Sequence, residues 1–250
     1  MSLLSEARDL QRRKARERTG RFVAEGVRTV EELFRSGLDI TGILAADGAG
    51  ALPRAAALLA TAAARGVPVL HVSESEFASA AGTEAPQGVL AVAVAPVWTL
   101  ERLPPGPLRL LVLDAVQDPG NVGTILRTAA AFGVTTTIAL PGTVDLWNAK
   151  VVRSAMGTSF VHPTVSCPTE ELAAFVAARG LPVWGADADG TPLPSLRVPA
   201  QWVLIVGNEG AGLSSATAPL VTQTVALPLS AAVESLNVAV ATGILLFALR

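Results

Sequence analysis

The stretch "LDAVQDPGNVGTILRTAAAFGV" (residues 113–134) has the pattern of a buried strand, a tight turn and a short helix. A Pro-Gly pair suits the turn, Asn121 is a suitable helix N-cap, and Gly133 suits the end of the helix. Strand and helix patterns alternate on both sides of this stretch, and the strands are continuously apolar. The alternation predicts an α/β fold with a mostly parallel sheet that is covered by helices on both faces.

One charged residue, Arg127, lies among small and apolar residues of this predicted helix. At about 100° per residue, Arg127 is about 140° away from Val122 and its apolar face, so it is not a core arginine. A solvated surface arginine is one interpretation. The other starts from its Thr and Ala neighbours, because a small-residue surface with one guanidinium suits the close approach of an anion.

The composition indicates a globular chain of one or two domains. Of 250 residues, 50% are hydrophobic and 16% are charged, which excludes a disordered chain. The segment "LPPGPL" (103–108) prevents regular structure, so we predict a domain over 1–97, a linker over 98–108 and a domain over 109–250.

The location in the cell is predicted from hydropathy and cysteine content. No uninterrupted apolar run reaches the roughly 18 residues of a membrane span, and the chain opens with charges instead of an apolar signal segment. Its single cysteine, Cys167, fits a reducing compartment and a structural role. We therefore expect a cytoplasmic protein without a membrane partner.

Basic residues concentrate at the start of the chain, although the net charge is −2. A charged helix is predicted over about 3–18. The basic residues of the first 28 positions are Arg8, Arg12, Arg13, Lys14, Arg16, Arg18, Arg21 and Arg28. This end is either a solvated helix face or a surface that contacts phosphates. Arg12, Arg13 and Lys14 are the predicted RNA contacts.

Two further strand ends carry unusual residues, and ligands of such sheets bind beyond the carboxyl ends of the strands. "IVGNEGAGLS" (205–214) is glycine-rich but lacks the dinucleotide fingerprint, and its Glu209 suits a cationic or hydroxyl-bearing ligand. "VALPLSAAVESLNVAVATGILLFALR" (225–250) predicts a strand, a polar loop and a helix that is apolar nearly all round and hence buried. Ser235 and Asn237 suit a helix cap.

Taken together, three segments resemble the signature motifs of the SpoU-type (TrmH-like) RNA 2′-O-ribose methyltransferases of the SPOUT superfamily. They are "NVGTILRTAAAFG", "GNEGAGL" and "LPLSAAVESLNVAVATGILL", and their order and separation also match. The first half is similar, less distinctively, to an L30e-like substrate-binding domain through "FVAEGVRTVEELFRSG" and "PQGVLAVA".

The resemblance implies a parallel-sheet SPOUT domain with a deep trefoil knot, a smaller N-terminal α/β domain, S-adenosylmethionine as cofactor and a homodimer. It implies methyl transfer to a ribose 2′-hydroxyl of RNA, with 23S ribosomal RNA first and transfer RNA second, and no metal is expected. The implied catalytic residues are Arg127, Asn121, Glu209, Ser235 and Asn237. The implied cofactor contacts are Leu140, Gly207, Leu227 and Leu236.

Under this resemblance, Arg127 would bind a phosphate of the RNA and orient the 2′-hydroxyl. The family assigns a base role to this arginine, but a guanidinium is a poor proton acceptor, and stabilising the developing alkoxide is easier. Lys150 and Arg153, in "NAKVVRSAMGTSF", are predicted either to contact further phosphates of the RNA or to belong to a solvated helix face.

Two rival hypotheses stay open. A non-catalytic RNA-binding protein would use the first half for RNA and would have lost the donor site, whereas every motif position is present here. A nicotinamide-dependent oxidoreductase needs the missing fingerprint and an acid about 20 residues after it.

Overall fold

The computed structural model describes residues 2–230 and 235–250. They form two compact units. The first contains the chain up to Val97 together with Asp145–Val161, and the second contains Trp98–Val144 and His162–Arg250. The segment 145–161, which the sequence analysis included in the domain over 109–250, therefore packs within the first unit.

The first unit is built on a four-stranded mixed sheet. Its strands are β1 (Arg21–Glu25), β2 (Ile40–Ala46), β3 (Val69–Val72) and β4 (Val89–Val94), in the order β1-β4-β2-β3. Its helices are α1 (Leu3–Asp9), α2 (Arg13–Thr19), α3 (Val27–Ser36), α4 (Pro53–Ala64), α5 (Glu74–Ala80) and α7 (Ala149–Ser154). Strand β4 runs antiparallel to both β1 and β2, so the expectation of a mostly parallel sheet fails in this unit.

The core of the first unit lies on both faces of this sheet, because successive side chains of a strand point to opposite faces. Along β4, Val89 and Ala91 join the cluster under α3 and α4, while Leu90 and Val92 join the cluster under α1 and α5. The ring of Phe22 on β1 packs against Trp147 at 4.5 Å, which ties the segment 145–161 to the first cluster.

The charged N-terminal helix is two helices, α1 and α2, and not the single helix predicted over 3–18. Arg16 is 6% exposed; its Nη1 donates to the carbonyl oxygen of Leu10 at 2.7 Å and its Nε to Asp145 Oδ2 at 2.6 Å. Because the guanidinium holds that carbonyl, the chain turns between the helices and Arg12 takes an extended conformation.

The second unit is built on a six-stranded sheet, and each of its pairings is parallel, as predicted. The strands are β5 (Arg109–Leu113), β6 (Thr136–Ala139), β7 (Thr164–Ser166), β8 (Val183–Pro192), β9 (Trp202–Val206) and β10 (Gln223–Ala226), in the order β10-β8-β9-β5-β6-β7. Its helices are α6 (Pro119–Ala131), α8 (Thr169–Arg179) and α9 (Val238–Ala248). Because the strands are parallel, their carboxyl ends share one edge.

Two features implied by the resemblance stay predictions here, the trefoil knot and the homodimer. Across 2–230 and 235–250, the structure contains no helix that is both long and apolar enough to cross a membrane.

Candidate functional site

Two neighbouring strands position the first two motifs. Strands β5 and β9 pair from Arg109↔Trp202 to Leu113↔Val206, so the segments that follow them leave the sheet side by side. Asp118, not Asn121, is the N-cap of α6; its Oδ1 accepts from the Asn121 backbone N–H at 2.7 Å. The predicted cap was therefore wrong by one turn. Since Asn121 lies inside the first turn of the helix, its side chain is available for other contacts.

A row of hydrogen bonds joins the three motifs. Asn237 Nδ2 donates to Asn121 Oδ1 at 3.0 Å, and Asn121 Nδ2 donates to Glu209 Oε1 at 2.7 Å. Asn237 Oδ1 also accepts from the backbone N–H groups of Ala239 and Val240 and so caps α9, as expected. Three predicted catalytic residues, far apart in sequence, thus contact one another at the carboxyl edge of the sheet.

The loop that carries Glu209 is tightly closed. Asn208 and Gly212 exchange two backbone hydrogen bonds, at 3.0 and 2.9 Å, and Asn208 Nδ2 donates to the carbonyl oxygen of Ala115 at 3.0 Å. A Cβ atom on Gly207 would lie 2.2 Å from the carbonyl oxygen of Gly212, so this position must be glycine. The close approach of the Gly212 backbone within the same loop therefore accounts for the glycine at position 207.

Asp114 anchors the far end of this loop and was missed in the sequence. It is buried at the end of β5, and its Oδ2 accepts from the Ser214 N–H at 2.7 Å and from the Thr217 hydroxyl at 2.5 Å. A charged residue directly after a continuously apolar strand is the signal that would have found it.

Arg127 lies on the solvent side of α6, which confirms that it is not a core arginine. Its side chain makes no hydrogen bond or ion pair with any other residue of 2–230 or 235–250. The neighbouring helix α9 approaches closely, since a Cβ on Gly243 would meet Thr128 Cγ2 at 3.5 Å. No hydrogen bond joins Arg127 to the Asn237–Asn121–Glu209 row, and its side chain is exposed, so the guanidinium is accessible to a ligand.

A cavity of about 160 Å³ lies in the second unit, beside the middle of β8 and the end of β10. Its described lining is Ala186, Asp187, Ala188, Val225, Leu227, Leu229, Ser235, Leu236, Ala241 and Leu245. Ser235, Leu227 and Leu236, three residues predicted at the site, meet here. Residues 231–234 of the third motif lie outside the described residues.

The other two predicted cofactor contacts, Leu140 and Gly207, are not part of the described cavity lining. Leu140 is 3% exposed and packs in the core of the second unit, and its N–H donates to the Leu113 carbonyl oxygen at 3.0 Å. The carbonyl oxygen of Leu140 accepts from the Thr143 N–H at 3.1 Å, so a cofactor contact at the Leu140 backbone would have to share that oxygen.

The buried titratable groups of the second unit are structural. Burial lowers the pKa of the His162 imidazole to about 4, and its Nε2 is hydrogen-bonded to the Thr137 hydroxyl at 2.9 Å. Burial, followed by the charges of Glu171 and Glu101, raises the pKa of the Cys167 thiol to about 11. At neutral pH the imidazole is uncharged and the thiol is protonated, so neither serves as a nucleophile or a charged ligand.

The predicted RNA contacts of the N-terminus are exposed, but acids neutralise part of this surface. Arg12 is 82% exposed with Asp9 at 3.8 Å, Arg13 pairs with Glu17 at 2.7 Å, and Lys14 is exposed. Arg16, Arg18 and Arg21 are also paired with acids, namely Asp145, Asp9 and Glu6. The positive surface is therefore smaller than the count of basic residues indicates.

Lys150 and Arg153 both lie on α7 in the first unit. Lys150 is exposed, next to the Asn148 cap. Arg153 Nη1 is buried 3.7 Å from Glu25 Oε2 and has no hydrogen-bond partner in the part of the chain that the structure describes. Arg153 lines a cavity of about 250 Å³ together with Glu25, Gly26, Arg28, Thr29, Thr83, Ala85, Gln87 and Met156.

Family comparisons agree with this geometry. Residues 109–247 match the model described as the SpoU rRNA Methylase family, and residues 4–91 match the MRM3-like substrate binding domain. A relative from Bacillus subtilis (strain 168), 23S rRNA (guanosine(2553)-2′-O)-methyltransferase RlmP, is 36% identical over 96% of this chain and 93% of the relative. The 23S rRNA (uridine(2479)-2′-O)-methyltransferase of Streptomyces viridochromogenes is 34% identical over 96% of this chain and 86% of the relative.

A solved structure gives the same result in three dimensions. The SpoU methyltransferase AviRb from Streptomyces viridochromogenes, crystallised in complex with AdoMet, has a TM-score of 0.89 at 28% identity. The match covers 100% of this chain and 97% of that chain. The chain belongs to the SpoU rRNA methylase family.

Proposed function

We propose that this chain transfers the methyl group of S-adenosylmethionine to a ribose 2′-hydroxyl of 23S ribosomal RNA. The observation that carries the proposal is the Asn237–Asn121–Glu209 row at the carboxyl edge of a parallel sheet, in a chain of the SpoU rRNA methylase family. The choice of RNA is supported by the two relatives named above, whose names give 23S rRNA as their substrate.

The cavity beside β8 and β10 fits part of the donor. S-adenosylmethionine supplies an electrophilic methyl group on a sulfonium. The walls formed by Leu227, Leu236 and Leu245 suit an apolar, flat group such as a purine ring. At about 160 Å³ the cavity is smaller than the roughly 300 Å³ of pockets that enclose a whole drug-sized ligand, so it holds one end of the donor.

Arg127 is proposed to bind and orient the RNA backbone. Its exposed guanidinium presents a planar fork that matches the geometry of a phosphate. A guanidinium keeps its proton, so Arg127 stabilises the developing alkoxide electrostatically and does not act as the base, and the hydroxyl proton passes to solvent. Most of its contribution is positioning, which is worth several kcal/mol when a reactive geometry is held.

The first unit is proposed to bind the rest of the RNA. Arg12 and Lys14 supply exposed charge at one end, and Arg153 and Arg28 line the cavity of about 250 Å³. Thr29, 4% exposed, also lines that cavity, and Arg153 Nη1 is buried without a hydrogen-bond partner among the described residues. A buried guanidinium nitrogen without a hydrogen-bond partner, in a cavity that Arg28 also lines, favours a polar, anionic ligand such as a nucleotide.

The homodimer is proposed to form through α9. Val240, Ile244 and Phe247 share one face of this helix, at spacings of four and three residues, and each is about half exposed. A contiguous exposed apolar face of this kind is typical of an interface between protein chains. We also infer that the protein works in the cytoplasm, where ribosomal RNA is processed.

The test is a map of ribose methylation in cells with and without the gene. The expected result is that one 2′-O-methyl group of 23S ribosomal RNA disappears with the gene and returns when it is restored. Loss of a methyl group from a transfer RNA instead would mean that transfer RNA, and not 23S ribosomal RNA, is the substrate. Unchanged methylation of both RNAs, with the protein still bound to RNA, would favour the non-catalytic binding protein.

A further inference from the structure

The cavity beside β8 and β10 has a single charged side chain among its described lining residues, Asp187. The other lining residues are apolar except for Ser235. The motifs that carry the family resemblance do not include Asp187, which lies on β8, after the first motif and before the second in the sequence.

The backbone around Asp187 is pushed out of the sheet. Strand β10 pairs Thr224 with Gly185 but Val225 with Thr191, so residues 186–190 of β8 have no partner on β10. The chain rejoins the sheet at Thr191, directly after Gly190, and a Cβ on Gly190 would lie 2.8 Å from backbone atoms of Val225. The bulge therefore depends on this glycine, and it turns residues 186–188 towards the cavity.

The Asp187 carboxylate is held on one side and open on the other. Its Oδ1 accepts from the Asp189 N–H at 2.9 Å. Within 2–230 and 235–250, no group donates a hydrogen bond to Oδ2. Asp187 is exposed, so its carboxylate lies where the cavity opens to solvent and the apolar walls remain free for the purine end of the donor. There it attracts a cationic group of a bound ligand more strongly than a neutral one, by the modest amount of an exposed ion pair.

The geometry points to Asp187 as a residue that discriminates the charged methyl donor from its neutral product, an inference that rests on the proposed function. S-adenosylmethionine carries a sulfonium charge. After transfer the sulfur keeps the electron pair of the broken C–S bond and becomes a neutral thioether, S-adenosylhomocysteine. The carboxylate thus favours binding of the donor and release of the spent product.

The test compares three ligands by calorimetry with the full chain: S-adenosylmethionine, sinefungin, which has an amine in place of the sulfonium, and S-adenosylhomocysteine. The variant Asp187→Asn keeps the side-chain shape and removes the charge. We expect the affinity for the two charged ligands to fall about three- to fivefold and that for S-adenosylhomocysteine to change less than about twofold. Asp189→Asn is the matched control, because it removes a charge from the same bulge outside the cavity lining.

Two outcomes overturn the inference. An equal loss of affinity for all three ligands would show that the carboxylate contacts a part that donor and product share. Unchanged affinity for all three would show that Asp187 does not contact the ligand. A wild-type protein that binds none of the three would overturn the proposed function itself.

Discussion

Arg127 stands out at the level of single residues, since it is an exposed guanidinium on helix α6, which also carries Asn121 of the hydrogen-bonded row. The change Arg127→Lys keeps the positive charge and loses the planar fork. We expect kcat to fall about 100-fold, because misplacing the hydroxyl by about 1 Å has a cost of that order. The affinity for S-adenosylmethionine should stay within about twofold.

Methylation rates under saturating donor test this expectation. Arg179→Lys, on the exposed surface of α8, is the control for loss of a guanidinium elsewhere in the same unit. Full activity of Arg127→Lys would show that charge alone suffices and would contradict an orienting role.

The buried imidazole of His162 leads to a separate prediction about the pH dependence of stability. Burial lowers the pKa of its imidazole from 6.5 to about 4. Between these values the unfolded chain binds a proton that the folded chain does not, so stability is lost as the pH falls from about 6.5 towards 4. From pH 7 to 4.5 the wild-type protein should lose about 2 to 3 kcal/mol more unfolding free energy than His162→Gln.

Urea unfolding at the two pH values measures the difference. His71→Gln, which changes the exposed histidine of β3, is the matched control for the loss of an imidazole. Equal slopes for the wild-type protein and His162→Gln would mean that the imidazole is not kept neutral by burial.

The sequence predicted the outward position of Arg127 because helical periodicity determines which face a residue occupies. It did not predict that Arg16 is buried, because its partner Asp145 is far away in the chain and only the fold brings them together. Asn121 was taken for the cap because it precedes the apolar run. Pro119 shifts the start of the helix to Asp118, since proline is favoured in the first turn, where its missing N–H costs nothing.

At the level of elements, the loop after β9 depends on Gly207. The substitution Gly207→Ala would place a methyl group 2.2 Å from the Gly212 carbonyl oxygen, and the loop must open to accept it. We expect a loss of about 1 to 3 kcal/mol of unfolding free energy, together with a loss of methylation as Glu209 leaves Asn121.

Gly210→Ala in the same loop is the matched control. The nearest atom to its added Cβ is Asn208 Oδ1 at an ordinary 3.7 Å, so stability should change by less than about 0.5 kcal/mol. Equal effects of the two substitutions, measured by chemical denaturation, would contradict the close approach at Gly207.

Alternation of strands and helices predicted the parallel sheet of the second unit but not the mixed sheet of the first. Strand direction depends on the path of the connection, and β4 closes its sheet between β1 and β2 through pairings that periodicity does not encode. The bulge at 186–190 was also missed, because an "ADADG" run inside an apolar strand pattern has several conformations open to it.

At the level of the whole molecule, the exposed face of α9 predicts self-association. Ile244→Glu places a charge in the middle of that face, which would be desolvated in a dimer. We expect the wild-type protein to sediment as a dimer and the variant as a monomer. Leu52→Glu changes an exposed leucine of the first unit and should leave the dimer intact. A monomeric wild-type protein would contradict the proposed interface.

The three motifs and their order identified the family from the sequence alone, and matches to relatives over 96% of the chain agree with that. Composition and spacing did not predict that 145–161 packs with the N-terminal unit. That packing depends on Trp147 and Phe160 against Phe22, contacts between residues more than a hundred positions apart.

The most direct test is methyl transfer by the purified protein. It would be incubated with S-adenosylmethionine that carries a labelled methyl group and with 23S ribosomal RNA or transfer RNA, and the RNA would then be digested to nucleosides. Our account predicts label in one 2′-O-methyl nucleoside of 23S ribosomal RNA with the wild-type protein and a large loss with Arg127→Lys. Label on a base, or no label in any RNA while the donor is bound, would contradict it.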